Sequence, residues 1–245
     1  MEQWILIISA LIAVVLLSNI VQGITGFAGG IIAMPFVVLL IGLDTAKQVL
    51  NLLGILSAAY IVIKTYQHIN WHEFFRIIFT MAIGLVTGLF LYNIVPLDWL
   101  LLILPFFIMF IGLRGFYLQK KGKPSSKDFG KTSSTLILLL AGIVHGLFVI
   151  GGPILVIYAA QKIKDKAEFR ATLSMIWVIL NSIIALETLW NGSFSTQSYH
   201  YTLLTIVPLL IGTLIGSVLH SKMSQNVFMM ISYALLVISG VSLLF

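Results

Sequence analysis

Long runs of apolar residues recur from one end of the sequence to the other, and most charged side chains lie at the ends of these runs or in the short segments between them. Runs of 18 or more such residues are long enough to cross the roughly 30 Å hydrocarbon core of a bilayer as helices. The composition agrees with such membrane-spanning helices, because 60% of the 245 residues are hydrophobic and only 9% are charged. The sequence therefore predicts an all-α polytopic membrane protein with no segment left over for a soluble domain.

The apolar runs occur in the same order in the two halves of the chain. A stretch interrupted by a glycine-rich turn covers about 4–42, and predicted spans follow near 48–66, 74–92 and 97–117. After a polar segment, a second interrupted stretch covers about 133–161, and spans follow near 170–190, 201–219 and 226–245. We therefore expect a first transmembrane repeat at 1–117, a basic linker at 118–132 and a second transmembrane repeat at 133–245.

Each interrupted stretch consists of two apolar arms around its turn. The second stretch has about 29 residues, so at about 1.5 Å per residue its two arms are too short for each to cross the bilayer, which favours a re-entrant hairpin. The first, with about 39 residues, is either re-entrant or two short spans. Either kind of element returns the chain to the side of the membrane from which it started. The three spans that follow then leave the chain on the opposite side. The two repeats are therefore expected to be inverted relative to each other.

The positive charges support this topology independently. Thirteen of the 14 Lys and Arg residues fall on one predicted side, and Lys47 alone falls on the other. Cytoplasmic loops of membrane proteins carry the excess of Lys and Arg. We therefore expect a cell-membrane protein whose lysine-rich central linker is cytoplasmic and whose two termini are extracytoplasmic.

The two glycine-rich turns are the candidate functional elements. Irregular backbone at membrane depth persists only where protein covers it or where it lines a cavity, and paired broken helices in inverted repeats mark the substrate site of many transporters. The half-helices that follow Gly29-Gly30 and Gly151-Gly152 would direct free N–H groups at a bound anion. The alternative is that the glycines only allow close helix packing.

Polar residues near the turns complete the candidate site. Gln22, Thr25 and His145 either contact a ligand or satisfy backbone groups that the turns release. Asn51 and Thr172 occupy matching positions when "DTAKQVLN" is aligned with "DKAEFRAT". The expected substrate-binding residues are Gln22, Thr25, Gly26, Gly29, Gly30, Asn51, His145, Gly146, Gly151, Gly152, Thr172 and Asn181.

Two longer motifs carry a family resemblance over essentially the whole chain. "GITGFAGGIIAMPFVVLLIG" (23–42) resembles the opening motif of the sulfite exporter TauE/SafE family. "HGLFVIGGPILVIYAAQ" (145–161) and "FRATLSMIWVILN" (169–181) are similar to its second-half motif. The resemblance implies transport of sulfite, organosulfonates or related anions at a site near both glycine motifs. Ala28 and Phe148 stand where the family often has glycine.

The leading hypothesis is a transporter, expected to be an exporter, of small sulfur-containing anions by alternating access around a midplane site. Alternatives are a permease for another small anion such as a carboxylate, and a non-transporting membrane scaffold. An enzyme is disfavoured, because no span has an Asp away from its ends and none contains "HExxH" or "GxSxG". No catalytic residue, cofactor or metal is expected. The expected partners are the anion and the lipid bilayer, with a homo-oligomer left open and no nucleic acid.

A titratable coupling group is hard to find in the sequence. Glu187 is the one acid well inside an apolar run, and it lies near the predicted outer end of its span. An inside-negative potential favours exit of an anion by about 2.3 kcal/mol per charge per 100 mV. Export without a coupling ion is therefore a hypothesis that the sequence allows.

Overall fold

The computed structural model describes residues 2–92, 98–121 and 130–242, and these form ten α-helices and one 3₁₀ turn at Tyr66–His68. The first five helices are α1 Glu2–Thr25, α2 Gly29–Ile41, α3 Leu43–Thr65, α4 Trp71–Tyr92 and α5 Asp98–Lys120. The second five are α6 Lys131–Phe148, α7 Gly152–Lys162, α8 Lys166–Trp190, α9 Thr196–Lys222 and α10 Gln225–Ser242.

The prediction of an all-α membrane protein is confirmed. No strand occurs among the described residues, and six of their helices are long and apolar enough to cross a membrane. Three predicted regions lie partly outside the described residues. They are the span at 97–117, whose first residue is not described, the linker at 118–132, whose residues 122–129 are not described, and the end of the last span at 243–245.

Each half contains five helices, and in each the second helix is the shortest. The two arms of each interrupted stretch are unequal in length. With 24 and 18 residues, α1 and α6 measure about 36 and 27 Å, whereas α2 and α7, with 13 and 11 residues, measure about 20 and 17 Å. A helix long enough to span is therefore followed, in both halves, by one that is too short.

The helices group into two compact units that each combine helices of both halves. The first unit comprises 1–66 and 173–222, and the second comprises 67–172 and 223–245. Because the chain passes from one unit to the other within α8, the compact units do not coincide with the predicted repeats. The division into repeats, and their inversion, stay predictions.

In the first unit, α1 packs along α9 at very short range. A Cβ atom added to Gly212 or Gly216 would lie 2.5 or 2.2 Å from a backbone oxygen of α1, and one added to Gly23 would lie 2.6 Å from a backbone oxygen of α9. Glycines spaced four residues apart allow such close approach of two helix backbones. The "GTLIG" motif of α9 is therefore an intramolecular packing motif.

In the second unit, α4 and α6 pack in the same way. The α4 sequence "GLVTG", from Gly84 to Gly88, carries the same glycine spacing. An added Cβ on either glycine would lie 2.3 Å from a backbone oxygen of α6. The first helix of each half thus packs against the fourth helix of the other half, through a glycine pair.

Candidate functional site

The first turn, in the first unit, is formed by a left-handed glycine. Helix α1 ends at Thr25, and Gly26 has φ of +79°, a conformation that side chains rarely adopt. The Gly26 N–H donates to the backbone oxygen of Gln22 at 2.7 Å. The chain then enters α2 at Gly29, two residues before the predicted start of the half-helix, which was expected to follow Gly29-Gly30.

Two side chains of α1 satisfy backbone groups that this turn releases. Gln22 Oε1 accepts a hydrogen bond from the Gly29 N–H at 3.0 Å, seven residues away. Thr25 Oγ1 accepts from the N–H groups of Phe27 at 3.3 Å and Ala28 at 3.2 Å. Both side chains are buried. Of the two roles considered for Gln22 and Thr25, the structure shows the backbone-capping one.

The two consecutive glycines of α2 have different surroundings. A Cβ atom on Gly29 would lie 2.6 Å from Gln22 Cβ and 2.8 Å from the backbone oxygen of Ser18. A Cβ atom on Gly30 would have no atom within 4 Å among the described residues. Gly29 therefore serves packing, whereas open space lies beside Gly30.

Two N–H groups at the start of α2 are available to a ligand. The first backbone bond of the helix runs from the Ile32 N–H to the Ala28 oxygen, and Gln22 accepts from Gly29. The N–H groups of Gly30 and Ile31 have no partner among the described residues. Free N–H groups in the first turn of a helix, where the helix dipole is positive, bind anions.

The second turn, in the second unit, has the same construction. Helix α6 ends at Phe148, and Val149 has φ of +60°, rare for a β-branched residue. The Val149 N–H donates to the backbone oxygen of His145 at 2.8 Å. His145 Nδ1 accepts from the Gly151 N–H at 3.3 Å, so this ring nitrogen carries no proton. His145 is thus a capping residue like Gln22.

The start of α7 also presents two N–H groups. Its first backbone bond runs from the Leu155 N–H to the Gly151 oxygen. Pro153, in the first turn, has no N–H. Within the described part of the chain, the N–H groups of Gly152 and Ile154 have no partner. The second unit therefore presents a pair of N–H groups of the same kind as the first.

The remaining glycines of this turn have packing roles. A Cβ atom on Gly151 would lie 2.4 Å from the Ala141 oxygen and 2.7 Å from His145 Cβ. One on Gly146 would lie 2.4 Å from the Leu85 oxygen of α4. These contacts account for the absence of a side chain at both positions without any ligand.

Sequence positions in the two turns correspond at a constant offset. Gln22 and His145 each precede the left-handed residue by four positions and the first residue of the short helix by seven. Each residue caps an N–H at or beside the start of that helix. The carboxamide of Gln22 and the imidazole of His145 therefore have the same capping role, although the two residue types are different.

Asn51 and Asn181 are brought together in the first unit. Asn51 Nδ2, on α3, donates to the Asn181 backbone oxygen on α8 at 3.1 Å. Asn51 is 2% exposed, and its Oδ1 has no partner among the described residues. Gly54, which the sequence did not single out, makes room for Asn181, because an added Cβ would lie 2.7 Å from Asn181 Nδ2.

Thr172 lies in the second unit, at the loop before α4. Its Oγ1 accepts from the Asn70 N–H at 2.9 Å, and Asn70 Nδ2 donates to Glu168 Oε2 at 3.2 Å. Asn70 Oδ1 also accepts from the Glu73 N–H at 3.1 Å and so caps α4. The structure therefore gives Thr172 a loop-fixing role in the second unit, whereas Asn51, its match by sequence alignment, belongs to the first unit.

A buried acid that the sequence did not single out lies in the second unit. Glu73, in the first turn of α4, is 9% exposed and accepts a hydrogen bond from the Tyr158 hydroxyl of α7 at 2.6 Å. Glu73 was not identified from the sequence, because this residue lies just before the predicted span that starts at 74. Glu187 accepts instead from its neighbour Asn191 at 2.6 Å, in agreement with a position near the helix end.

A comparison with protein families identifies the chain. The family model described as "Sulfite exporter TauE/SafE" matches residues 11–243, nearly the whole length. The chain belongs to the sulfite exporter TauE/SafE family. This TauE/SafE protein is therefore a multi-pass membrane transporter, and the family's description makes a small anion its class of substrate.

Two curated relatives of this TauE/SafE protein are similar over most of their length. A probable sulfite/organosulfonate exporter TauE of Cupriavidus necator is 22% identical over 91% of this chain and 88% of its own. A probable inner membrane transporter protein TsaS of Comamonas testosteroni is 22% identical over 73% of this chain and 74% of its own. No solved structure matches.

Proposed function

We propose that the protein exports small sulfur oxyanions or organosulfonates across the cell membrane. The observation that carries the proposal is the pair of unpartnered N–H groups at the start of α2, beside the open space at Gly30. A dipole-based site of this kind binds a compact anion without a counter-charge. A relative named as a probable sulfite/organosulfonate exporter supports the choice of anion.

The start of α7 supplies a second pair of donors, on Gly152 and Ile154. In our proposal these groups also contact substrate, and alternating access exposes the anion first to one side of the membrane and then to the other. Gln22, Thr25 and His145 act through the turns that they cap. Asn51 Oδ1, an acceptor without a partner among the described residues, accepts a hydrogen bond from a substrate hydroxyl or ammonium group.

The test is efflux of a panel of anions from liposomes that contain the purified protein at a fixed membrane potential. The panel comprises sulfite, sulfate, thiosulfate, taurine and acetate. We expect efflux of sulfite or a sulfonate and none of acetate. Efflux of acetate alone would replace the proposal by the carboxylate alternative, and a protein that transports no anion in the panel would favour the scaffold.

The driving force can be measured in the same liposomes. We propose uncoupled export down the membrane potential, because a site made of backbone N–H groups offers no titratable group for a coupling ion. Efflux should then stop when the potential is clamped to zero without a concentration gradient. An efflux that persists and depends on a pH gradient would contradict uncoupled export.

The orientation is also a proposal, with the lysine-rich linker in the cytoplasm. The sequence contains no cysteine, so a single introduced cysteine reports its own side without background. Ser125→Cys, in the linker, should react with a membrane-impermeant maleimide only after the cells are opened. Ser193→Cys, in the exposed turn after α8, should react in intact cells. The reverse pattern would invert the proposed topology.

A further inference from the structure

A cavity of about 180 Å³ lies in the second unit, where three helix ends meet. Its wall includes residues from the end of α5, from the end of α7 and from the first turns of α10. The polar groups in it come from Gln119, Gln161, Lys164, Gln225 and Tyr233, and Ala160 forms part of the apolar wall. Neither glycine turn contributes to this cavity.

Hydrogen bonds between the helix ends hold this cavity in shape. The Gln225 carboxamide bridges the loop after α7, because its Oε1 accepts from the Lys166 N–H at 2.7 Å and its Nε2 donates to the Lys164 backbone oxygen. Gln119 Nε2, at the end of α5, donates to Asn226 Oδ1 at 2.8 Å. The cavity is therefore a preformed site rather than a gap between loose ends.

The charge around the cavity is strongly positive. Residues 117–121 and 160–166 contain five lysines and one acid, Asp165. Asp165 Oδ1 accepts from the N–H groups of Ala167 and Glu168, so this carboxylate caps α8. The Lys164 ammonium lines the cavity and donates one hydrogen bond, to the Ala160 oxygen at 3.2 Å. Its other N–H groups are available to an anion.

The cavity lies at the depth of lipid headgroups. Lys121 Nζ is 4.4 Å from the centre of the Tyr117 ring, and Tyr117 is 55% exposed at the end of α5. Tyrosine and lysine at the end of an apolar helix mark the boundary between membrane and water. Phe106, Phe110 and Leu113 continue from Tyr117 along α5 as an exposed apolar face, 57, 63 and 56% exposed. Acyl chains can cover this face.

From these observations we propose that the cavity binds the phosphate group of an anionic phospholipid, with Lys164 as the charged ligand. Basic pockets between helix ends at headgroup depth bind such phosphates. The apolar face that continues from Tyr117 argues for a lipid, because a soluble phosphate would gain nothing from it. The site is separate from the N–H groups proposed to bind the transported anion.

The test is thermal stabilisation of the full-length protein in detergent by dihexanoyl phosphatidylglycerol, dihexanoyl phosphatidylcholine and glycerol 1-phosphate. We expect the anionic lipid to act at roughly tenfold lower concentration than the zwitterionic lipid, because both present a phosphate but the choline group of the second adds a positive charge that the lysines repel. Glycerol 1-phosphate alone should stabilise much less. Equal stabilisation by glycerol 1-phosphate would overturn the assignment to a lipid.

Variants separate this site from a general attraction of positive charge to anionic lipid. Lys164→Gln should remove the preference for phosphatidylglycerol, and Lys164→Arg should keep it. Lys64→Gln removes one positive charge from the exposed last turn of α3, in the first unit, and is the matched control that should change nothing. Ala160→Leu should lower the preference by filling the cavity without a change of charge. The proposal is wrong if Lys164→Gln retains the preference for phosphatidylglycerol, or if its preference falls by no more than that of Lys64→Gln.

Discussion

Replacement of each of the two adjacent glycines of α2 by alanine should have opposite consequences. In Gly30→Ala the new methyl group meets no atom within 4 Å, so the fold accommodates it. Alanine is favoured over glycine in helices by up to about 1 kcal/mol, so the free energy of unfolding should stay constant or rise slightly. The methyl group nevertheless occupies the open space beside the N–H groups of Gly30 and Ile31, where we propose that the anion binds.

In Gly29→Ala the methyl group would lie 2.6 Å from Gln22 Cβ and 2.8 Å from the Ser18 oxygen. Both distances are below van der Waals contact, so helix α2 or the Gln22 side chain must move. Overpacking of this kind costs about 1–3 kcal/mol. Movement of Gln22 also loses its bond to the Gly29 N–H, which adds about 1 kcal/mol. Gly29→Ala should therefore unfold at a lower temperature.

The assay pairs sulfite efflux from liposomes with the thermal unfolding midpoint of the purified protein. Hydrogen bonds to a charged group contribute about 1.5–3 kcal/mol, so losing one should lower the apparent affinity for sulfite at least roughly tenfold in Gly30→Ala. Gly130→Ala is the matched control. It too adds a methyl group with no atom within 4 Å, but outside both turns, and efflux should be unchanged.

A Gly30→Ala protein that is stable and transports sulfite at the normal rate would refute the reasoning, because the space beside Gly30 would then have no part in transport. Loss of stability in Gly30→Ala would refute it differently, by showing that this glycine packs as Gly29 does. Gly29→Ala cannot make this distinction alone, since lost flux would follow from lost structure.

Three further variants test individual contacts. Val149→Gly, which gives the second turn the residue type of the first, should relieve left-handed strain of about 1–2 kcal/mol and raise the unfolding midpoint, unless lost packing cancels the gain. Tyr158→Phe leaves buried Glu73 without its hydroxyl donor and should cost about 1–3 kcal/mol, seen as a lower midpoint. Gly212→Leu should prevent α1 and α9 from packing and abolish folded protein in size-exclusion chromatography, whereas Gly130→Leu, at an exposed glycine with no atom within 4 Å, should not.

Helix positions were largely readable from the sequence. The spans predicted at 48–66, 74–92 and 170–190 match α3, α4 and α8 within a few residues, because an apolar run in a membrane protein must be a helix. Helices α2 and α7 begin one or two residues before their predicted starts, which were expected to follow the two glycine pairs. The lengths of α1 and α6 were not predicted, because hydropathy does not tell where within a broken stretch the turn lies.

The candidate site was predicted as a set of residues but not as an arrangement. The sequence identified Gln22 and His145 without deciding between ligand contact and backbone capping. That choice depends on where the chain turns, since each side chain caps a group six or seven residues further on. Gly54 was missed because its role is to make room for Asn181, which is distant in the chain.

The sequence by itself determined the class of protein, the helices and the two glycine turns, because these follow from local composition and from the requirement that backbone groups in lipid be satisfied. Only the tertiary structure decided which helices pair and which polar groups remain unpartnered. Tyr158 and Glu73 are 85 residues apart, and no local pattern indicates their contact. The same holds for the N–H groups of Gly30 and Gly152, because their availability depends on the side chains folded around them.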